Sequence, residues 1–248
     1  MTPRGSVASD AMDLGLEGKV ALVTAASKGL GRASAQALVD EGAQVAINSR
    51  DAERVRAAAT EMGSEVLALP DDVTDPDAPR RLVAATVERF GALHVVVANA
   101  GGPPKGRAID VDDATLQTAI NANLLTSIRL VREALPHLRA AGWGRICLIT
   151  SNAVKQPIPN LSTSNTARAG LWGWAKTAAQ ELMDEGITVN LACPGLHRTQ
   201  RVAETGFTGR LGEPADFGRV VAFLCSEPAG FISGAALQVD GAGTLGLL

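Results

Sequence analysis

Short apolar runs of strand length alternate along this chain with stretches in which apolar residues recur every three or four positions. The runs lie at 19–24, 44–49, 65–69, 93–98, 145–150, 188–192 and 236–239, and are rich in Val, Ile, Leu and Ala. That composition suits strands buried on both faces. The helical period occupies 29–41, 51–62, 77–90, 113–139, 160–185 and 214–226. Strands separated in this way form βαβ units, whose right-handed crossovers lay helices on both faces of one parallel sheet. The pattern predicts an α/β fold, a single doubly wound Rossmann-type domain of about seven parallel strands flanked by helices. No repeat, low-complexity tract or linker divides it, so the domain is expected over 16–248, after a disordered leader at 1–15.

Composition narrows the function classes. Hydrophobic residues make up 46% of the chain, charged residues 20%, and net charge is −3, which leaves no basic stripe for nucleic acid. No apolar run approaches the ~20 residues that cross a bilayer, and residues 1–15 lack the apolar segment of a signal peptide. Cys147, Cys193 and Cys225 are isolated, and His94, His137 and His197 are scattered, so neither disulfides nor a metal site is expected. A cytoplasmic protein with reduced thiols and no membrane partner is the expectation.

The first strand ends in Thr24-Ala25-Ala26-Ser27-Lys28-Gly29-Leu30-Gly31, and a helix follows at once. Glycines there admit a pyrophosphate to the backbone, and a helix N-terminus supplies N–H donors and positive partial charge. The second strand ends Asn48-Ser49-Arg50. A carboxylate at this point would bind the ribose 2′-hydroxyl of NAD, whereas Arg50, with Lys28 nearby, suits the 2′-phosphate of NADP(H). The alternative for Arg50 is a solvated loop arginine. Asp51, just before a helix, reads as an N-cap.

The glycine turn resembles the Thr-Gly-x-x-x-Gly-x-Gly motif of the short-chain dehydrogenase/reductase family, with Ala25 replacing its first glycine. The resemblance covers roughly residues 16–245 and carries further expectations for the cofactor. Asp72-Val73 matches the adenine contact, Ala98-Asn99-Ala100-Gly101 the Asn-Asn-Ala-Gly turn with its first asparagine replaced by Ala98, and Pro194-Gly195 with Thr199 the loop that holds the nicotinamide carboxamide.

The same resemblance implies a reaction end built from asparagine, serine, tyrosine and lysine. Asn123 and Ser151 match the first two, but the chain contains no tyrosine. Thirteen residues after Ser151, Ser164 occupies the tyrosine slot, and Arg168 the lysine slot four residues later. Spacing of i, i+4 keeps the pair on one helix face. A serine is a far weaker acid than a phenol, and an arginine keeps its proton. Arg168 can still bind a ribose and stabilise an oxyanion. Together with Gly101-Gly102-Pro103-Pro104 and Val154-Lys155-Gln156-Pro157, the Ser164–Arg168 pair resembles a bacterial subgroup labelled β-ketoacyl-acyl-carrier-protein reductase-like, which lacks the full tetrad.

Two functional classes remain open from the sequence. The first is an NADP(H)-dependent oxidoreductase acting on a small-molecule carbonyl or alcohol. It needs a new proton donor, for which His197 is the candidate by pKa, with Lys105 and Lys155 as alternatives to plain loop lysines. The second is a dinucleotide-binding protein without hydride transfer, either a regulatory or scaffold subunit or a non-redox catalyst. A short loop, 200–208, implies an open site or one completed by a second subunit. By resemblance, helices 113–139 and 160–185 and the apolar terminus 245–248 would build a homo-oligomer, a dimer or tetramer, against the alternative of ordinary core packing.

Overall fold

The computed structural model describes residues 12–247. In chain order the elements are β1 (Val20–Val23), α1 (Gly29–Asp40), β2 (Gln44–Ser49), α2 (Ala52–Met62), β3 (Leu67–Pro70), α3 (Ala78–Phe90) and β4 (Val95–Ala98). There follow α4 (Asp113–Ile120), α5 (Thr126–Ala140), β5 (Gly144–Ile149), α6 (Ser162–Leu182), β6 (Ile187–Pro194), α7 (Gln200–Ala203), α8 (Pro214–Leu224) and β7 (Ala236–Val239). The strands form one sheet in the order β3-β2-β1-β4-β5-β6-β7, with every neighbouring pair parallel. This is the doubly wound Rossmann-type architecture expected from the alternation of periods.

Each strand feeds two cores, because successive side chains leave a strand on opposite faces. Val20 and Leu22 of β1 join Leu130, Val131 and Leu171 on one side. Ala21 and Val23 join Leu38, Phe217 and Val221 on the other. With both faces covered, nothing polar is needed along the central strands, which explains their continuous apolar runs. Asp51 caps α2 as expected, accepting the Arg54 N–H at 3.0 Å.

The region 113–139 is not one helix. α4 ends at Ile120, a π-helical turn occupies Asn121–Leu125, and α5 begins at Thr126. The Thr126 hydroxyl donates to the Asn121 carbonyl at 2.8 Å, and the Asn121 side chain bridges the Thr74 carbonyl and Arg129. These bonds hold a widened turn that hydrophobic period alone does not reveal. β3 starts two residues later than expected and α6 begins at Ser162 rather than 160. The segment after Thr199, expected as loop, contains the single turn α7. Of the leader expected over 1–15, residues 1–11 lie outside the described residues, and Leu14 already accepts a hydrogen bond from the Glu227 N–H.

The strand order reverses direction between β1 and β4. Their carboxyl ends diverge from the crossovers on either side and open a crevice, where such sheets hold ligands. Thr24 and Asn99 lie at the two lips. Among the described residues, no helix is long and apolar enough to cross a membrane, and no cluster of His, Cys, Asp or Glu has metal-binding form.

Candidate active site

The glycine turn is locked to the β4 lip by a reciprocal pair of hydrogen bonds. The Thr24 hydroxyl donates to the Asn99 carbonyl at 2.8 Å and accepts from the Asn99 N–H at 2.9 Å. The Asn99 side-chain amide donates to the Ala25 carbonyl at 3.1 Å. Gly31 passes directly beneath this bond; a β-carbon there would come within 2.6 Å of both the Ala25 oxygen and the Asn99 amide. The turn is therefore held open above the N-terminus of α1, a cradle for an anion. Thr199 closes it from above, its methyl lying near Gly29, and the Gly195 N–H donates to the Val239 carbonyl at 3.0 Å. These residues fit a dinucleotide's pyrophosphate.

The adenosine side is set by the end of β2. Asn48 is buried and its amide donates to the Leu69 and Asp71 carbonyls, each at 2.9 Å, which fixes β3 against β2. The Ser27 hydroxyl donates to Ser49 at 2.9 Å. Arg50 reaches outward, its side chain 76% exposed and 3.8 Å from the Asp72 carboxylate. Asp72 also accepts from the Thr74 N–H and hydroxyl. Val73 is buried beside them. The Lys28 ammonium donates to the Gln200 side chain on α7 at 3.4 Å.

At the reaction end one buried guanidinium gathers three elements. Arg168 donates from Nε to Ser164 Oγ, from Nη1 to the Ile149 carbonyl and from Nη2 to Asn123 Oδ1, each at 3.2 Å. Asn123 sits in the π turn, Ile149 ends β5, and Ser164 lies one turn back on α6. Burial first, and the charge of nearby Arg201 second, lower the pKa of Arg168 to about 10, with the Cys193 thiol opposing them. It remains a cation at neutral pH. Of its five N–H groups, three serve these bonds and two are not used by them. Ser151 occupies the end of β5 but is engaged locally. Its Oγ accepts from the Ala153 N–H at 3.1 Å and donates to Asn152 at 3.3 Å. Ala100 and Gly101 continue the β4 lip, and Gly101 is exposed to the cleft mouth.

The candidate proton donor His197 does not join this cluster. It is 4% exposed, its ring packs edge-on against Phe217 at 5.3 Å, and Nδ1 approaches the Gly195 carbonyl. The backbone of the Pro194 loop turns it towards α8 and the core. Lys155 holds its ammonium 5.2 Å from the Trp172 ring centre. Lys105 is exposed on a loop stitched to α6, where Thr163 donates to the Pro104 carbonyl at 2.7 Å.

Arg201 is the residue that sequence reasoning missed. α7 turns it back across the cleft so that its guanidinium lies against Gly102, where any β-carbon would overlap it. Its position two residues after Thr199 was the available signal, but only a helical turn there aims it inward.

Comparison with known proteins agrees with this fold. The family described as enoyl-(acyl carrier protein) reductase matches residues 24–244. Human dehydrogenase/reductase SDR family member 4 is 32% identical over 91% of this chain and 87% of its own length. Cis-4-hydroxycyclohexanecarboxylate dehydrogenase of Sinomonas cyclohexanicum is 36% identical over 90% of this chain and 95% of its own. Among solved structures, L-sorbose reductase of Gluconobacter frateurii, in complex with NADPH and L-sorbose, superposes with a TM-score of 0.87 at 30% identity, covering 93% and 98% of the two chains.

Ala25 provides a test of the turn. It adopts φ 46°, a left-handed conformation that disfavours a β-carbon, at the position where the resemblance places glycine. Relief of that strain outweighs the extra chain entropy of glycine, so Ala25→Gly should stabilise the fold by on the order of 1 kcal/mol. Calorimetry should show a melting temperature about 2–4 °C higher; an unchanged or lower value would mean that the turn is unstrained.

Proposed function

This chain belongs to the short-chain dehydrogenase/reductase family, and from that premise we propose that it is an NADP(H)-dependent oxidoreductase of a small carbonyl or alcohol, working without the Tyr-x-x-x-Lys pair. The supporting observation is the Arg168 cluster, which brings a buried cation, the Ser164 hydroxyl and the Asn123 amide together at the carboxyl end of β5. A nicotinamide dinucleotide held by the glycine turn and the Pro194 loop would supply hydride to a carbonyl or accept it from an alcohol. The spare N–H groups of Arg168 bind the adjoining ribose and stabilise negative charge on the substrate oxygen. Ser151 and Ser164 hold that oxygen and pass it a proton drawn from water, because Arg168 retains its own. We place the chain with members of the family that resemble β-ketoacyl-acyl-carrier-protein reductases but carry Ser and Arg in these slots. Residues 16–248 act as one dinucleotide-binding domain, and three buried free thiols support a cytoplasmic setting.

A second reading, dinucleotide binding without hydride transfer, is favoured by one observation. Neither Ser164 nor Arg168 nor Asn123 releases a proton near neutral pH. A direct test separates the two. Ser164→Tyr with Arg168→Lys restores an acid at the end of the cluster, and general acid catalysis contributes roughly 10²–10⁴-fold. Reduction of a ketone panel should rise by about tenfold or more in a double variant that folds and binds NADPH; no gain in such a variant favours the non-redox reading.

Arg50 carries the choice of cofactor. Its exposed pairing with Asp72 is worth ~0–1 kcal/mol and yields readily to a phosphate, whereas a charge-assisted contact is worth about 1.5–3 kcal/mol. NADPH should therefore bind about tenfold or more tightly than NADH in fluorescence titration, and Arg50→Ala should bring the two within roughly threefold. Equal affinities in the unmodified protein would remove the basis for NADP(H).

We further propose a homo-oligomer, dimer or tetramer, built on α5 and α6. Between them lies an open groove of about 370 Å³ lined by Val131, Leu135, Trp174 and Ala178, with Arg132 and Glu181 at its rim. Leu245 and Leu247 are also fully presented to solvent, while Leu248 lies outside the described residues. Light scattering at micromolar concentration should report at least twice the 25.5 kDa chain mass; a monomer at every concentration would contradict the assembly.

A further inference from the structure

Three cations at the reaction end have no carboxylate partner. The partners of buried Arg168 are all neutral oxygens: a hydroxyl, an amide and a backbone carbonyl. Arg201 lies against Gly102 and close enough to Arg168 to lower its pKa. Lys155 is half-buried over Trp172, and its charge acts on the Cys193 thiol together with that of Arg168. Other arginines on neighbouring segments take acidic partners, Arg107 with Asp110 and Arg198 with Glu213. Among the described residues, no ion pair includes Arg168, Arg201 or Lys155, and Glu204, one turn along from Arg201, does not pair with it. The chain carries 26 acidic against 23 basic residues, so a shortage of carboxylates does not explain this.

Cations converging on a cleft without counter-ions create a positive potential that attracts an anion. The dinucleotide's own charges are provided for elsewhere. Its pyrophosphate belongs over the glycine turn beneath Thr199, and its 2′-phosphate beside Arg50, whereas Arg201 faces Gly102 and Arg168. A guanidinium presents a planar fork that matches a carboxylate with two parallel hydrogen bonds. We infer that the substrate carries a carboxylate, received by Arg201 at the mouth of the cleft, while its carbonyl or hydroxyl is held at Ser151 and Ser164. This rests on the oxidoreductase reading above, and it makes α7 the specificity element of the site.

The test uses the full chain saturated with NADP⁺ and calorimetric titration of keto acids against their neutral methyl esters, levulinate and acetoacetate being the first pairs. Each acid should bind about tenfold or more tightly than its ester, a difference of roughly 1.4 kcal/mol, and the advantage should shrink as salt is raised. In Arg201→Ala the preference should fall to about twofold or less, with NADPH affinity unchanged in a separate fluorescence titration. Acids and esters that bind alike, or not at all, overturn the inference, as does a preference that survives Arg201→Ala. Loss of NADPH affinity in that variant would assign Arg201 to the cofactor instead. Displacement of the acid by inorganic phosphate but not by acetate would overturn the choice of carboxylate. NADPH oxidation is followed in parallel. Acid binding through Arg201 without oxidation keeps the carboxylate site and removes hydride transfer; reduction of neutral ketones indifferent to Arg201→Ala does the reverse.

Discussion

A guanidinium taken out of water must keep its N–H groups bonded, since an unpartnered buried charge costs several kcal/mol. Arg168 meets that constraint with neutral oxygens alone, and each acceptor belongs to a different part of the fold. The Ile149 carbonyl fixes the end of β5, Ser164 fixes the rotamer from its own helix, and Asn123 is brought within reach by the π turn. That turn is not incidental. A regular helix through 113–139 would rotate position 123 relative to α6, because a π turn inserts one residue into the helical winding. Burial of this one cation and the interruption of the α4–α5 helix are therefore parts of a single arrangement.

The cofactor end obeys a different constraint. Its contacts are backbone groups and short polar side chains: Thr24 with Asn99, Asn99 with Ala25, Asn48 with the β3 carbonyls. None of them involves Ser164 or Arg168. The two ends share the sheet, but the hydrogen bonds that form the anion cradle are complete without the reaction pair. A chain of this design can lose a phenol and keep its dinucleotide cleft, since the phenol contributes nothing to the turn's geometry.

The sequence made the fold and the glycine turn legible for the same reason. Strands buried on both faces leave uninterrupted apolar runs, and a tight turn above a helix N-terminus demands glycine at particular positions, so each requirement is written in residue types. The π turn was not legible, because it depends on the Thr126 hydroxyl and the Asn121 side chain bonding across the turn, which apolar period does not record. The direction of the His197 ring was not legible either, because the loop backbone turns it against Phe217. Arg201 was overlooked because nothing in a loop of unremarkable composition fixes where a side chain points until α7 winds one turn. Lys28 shows the same limit, since residue type alone does not reveal its reach towards Gln200.

Replacing tyrosine and lysine by serine and arginine changes what the pair can do more than how it is held. The i, i+4 spacing survives, and the two side chains still meet, now through Nε and Oγ. A lysine ammonium beside a phenol makes the phenol a better acid; an arginine beside a serine leaves the hydroxyl a poor one, because the starting pKa is too high for one neighbouring charge to overcome. What the arginine adds is permanence and number. It stays charged under burial that would discharge a lysine, and it offers five donors where lysine offers three. On the reading proposed above, a fixed cation would stand where the resemblance to the family expects a proton donor. Fixed positive charge stabilises negative charge on an oxygen whether a reaction creates that charge or a substrate brings it. With Arg201 near the same guanidinium, the proposed site would answer to both sources at once.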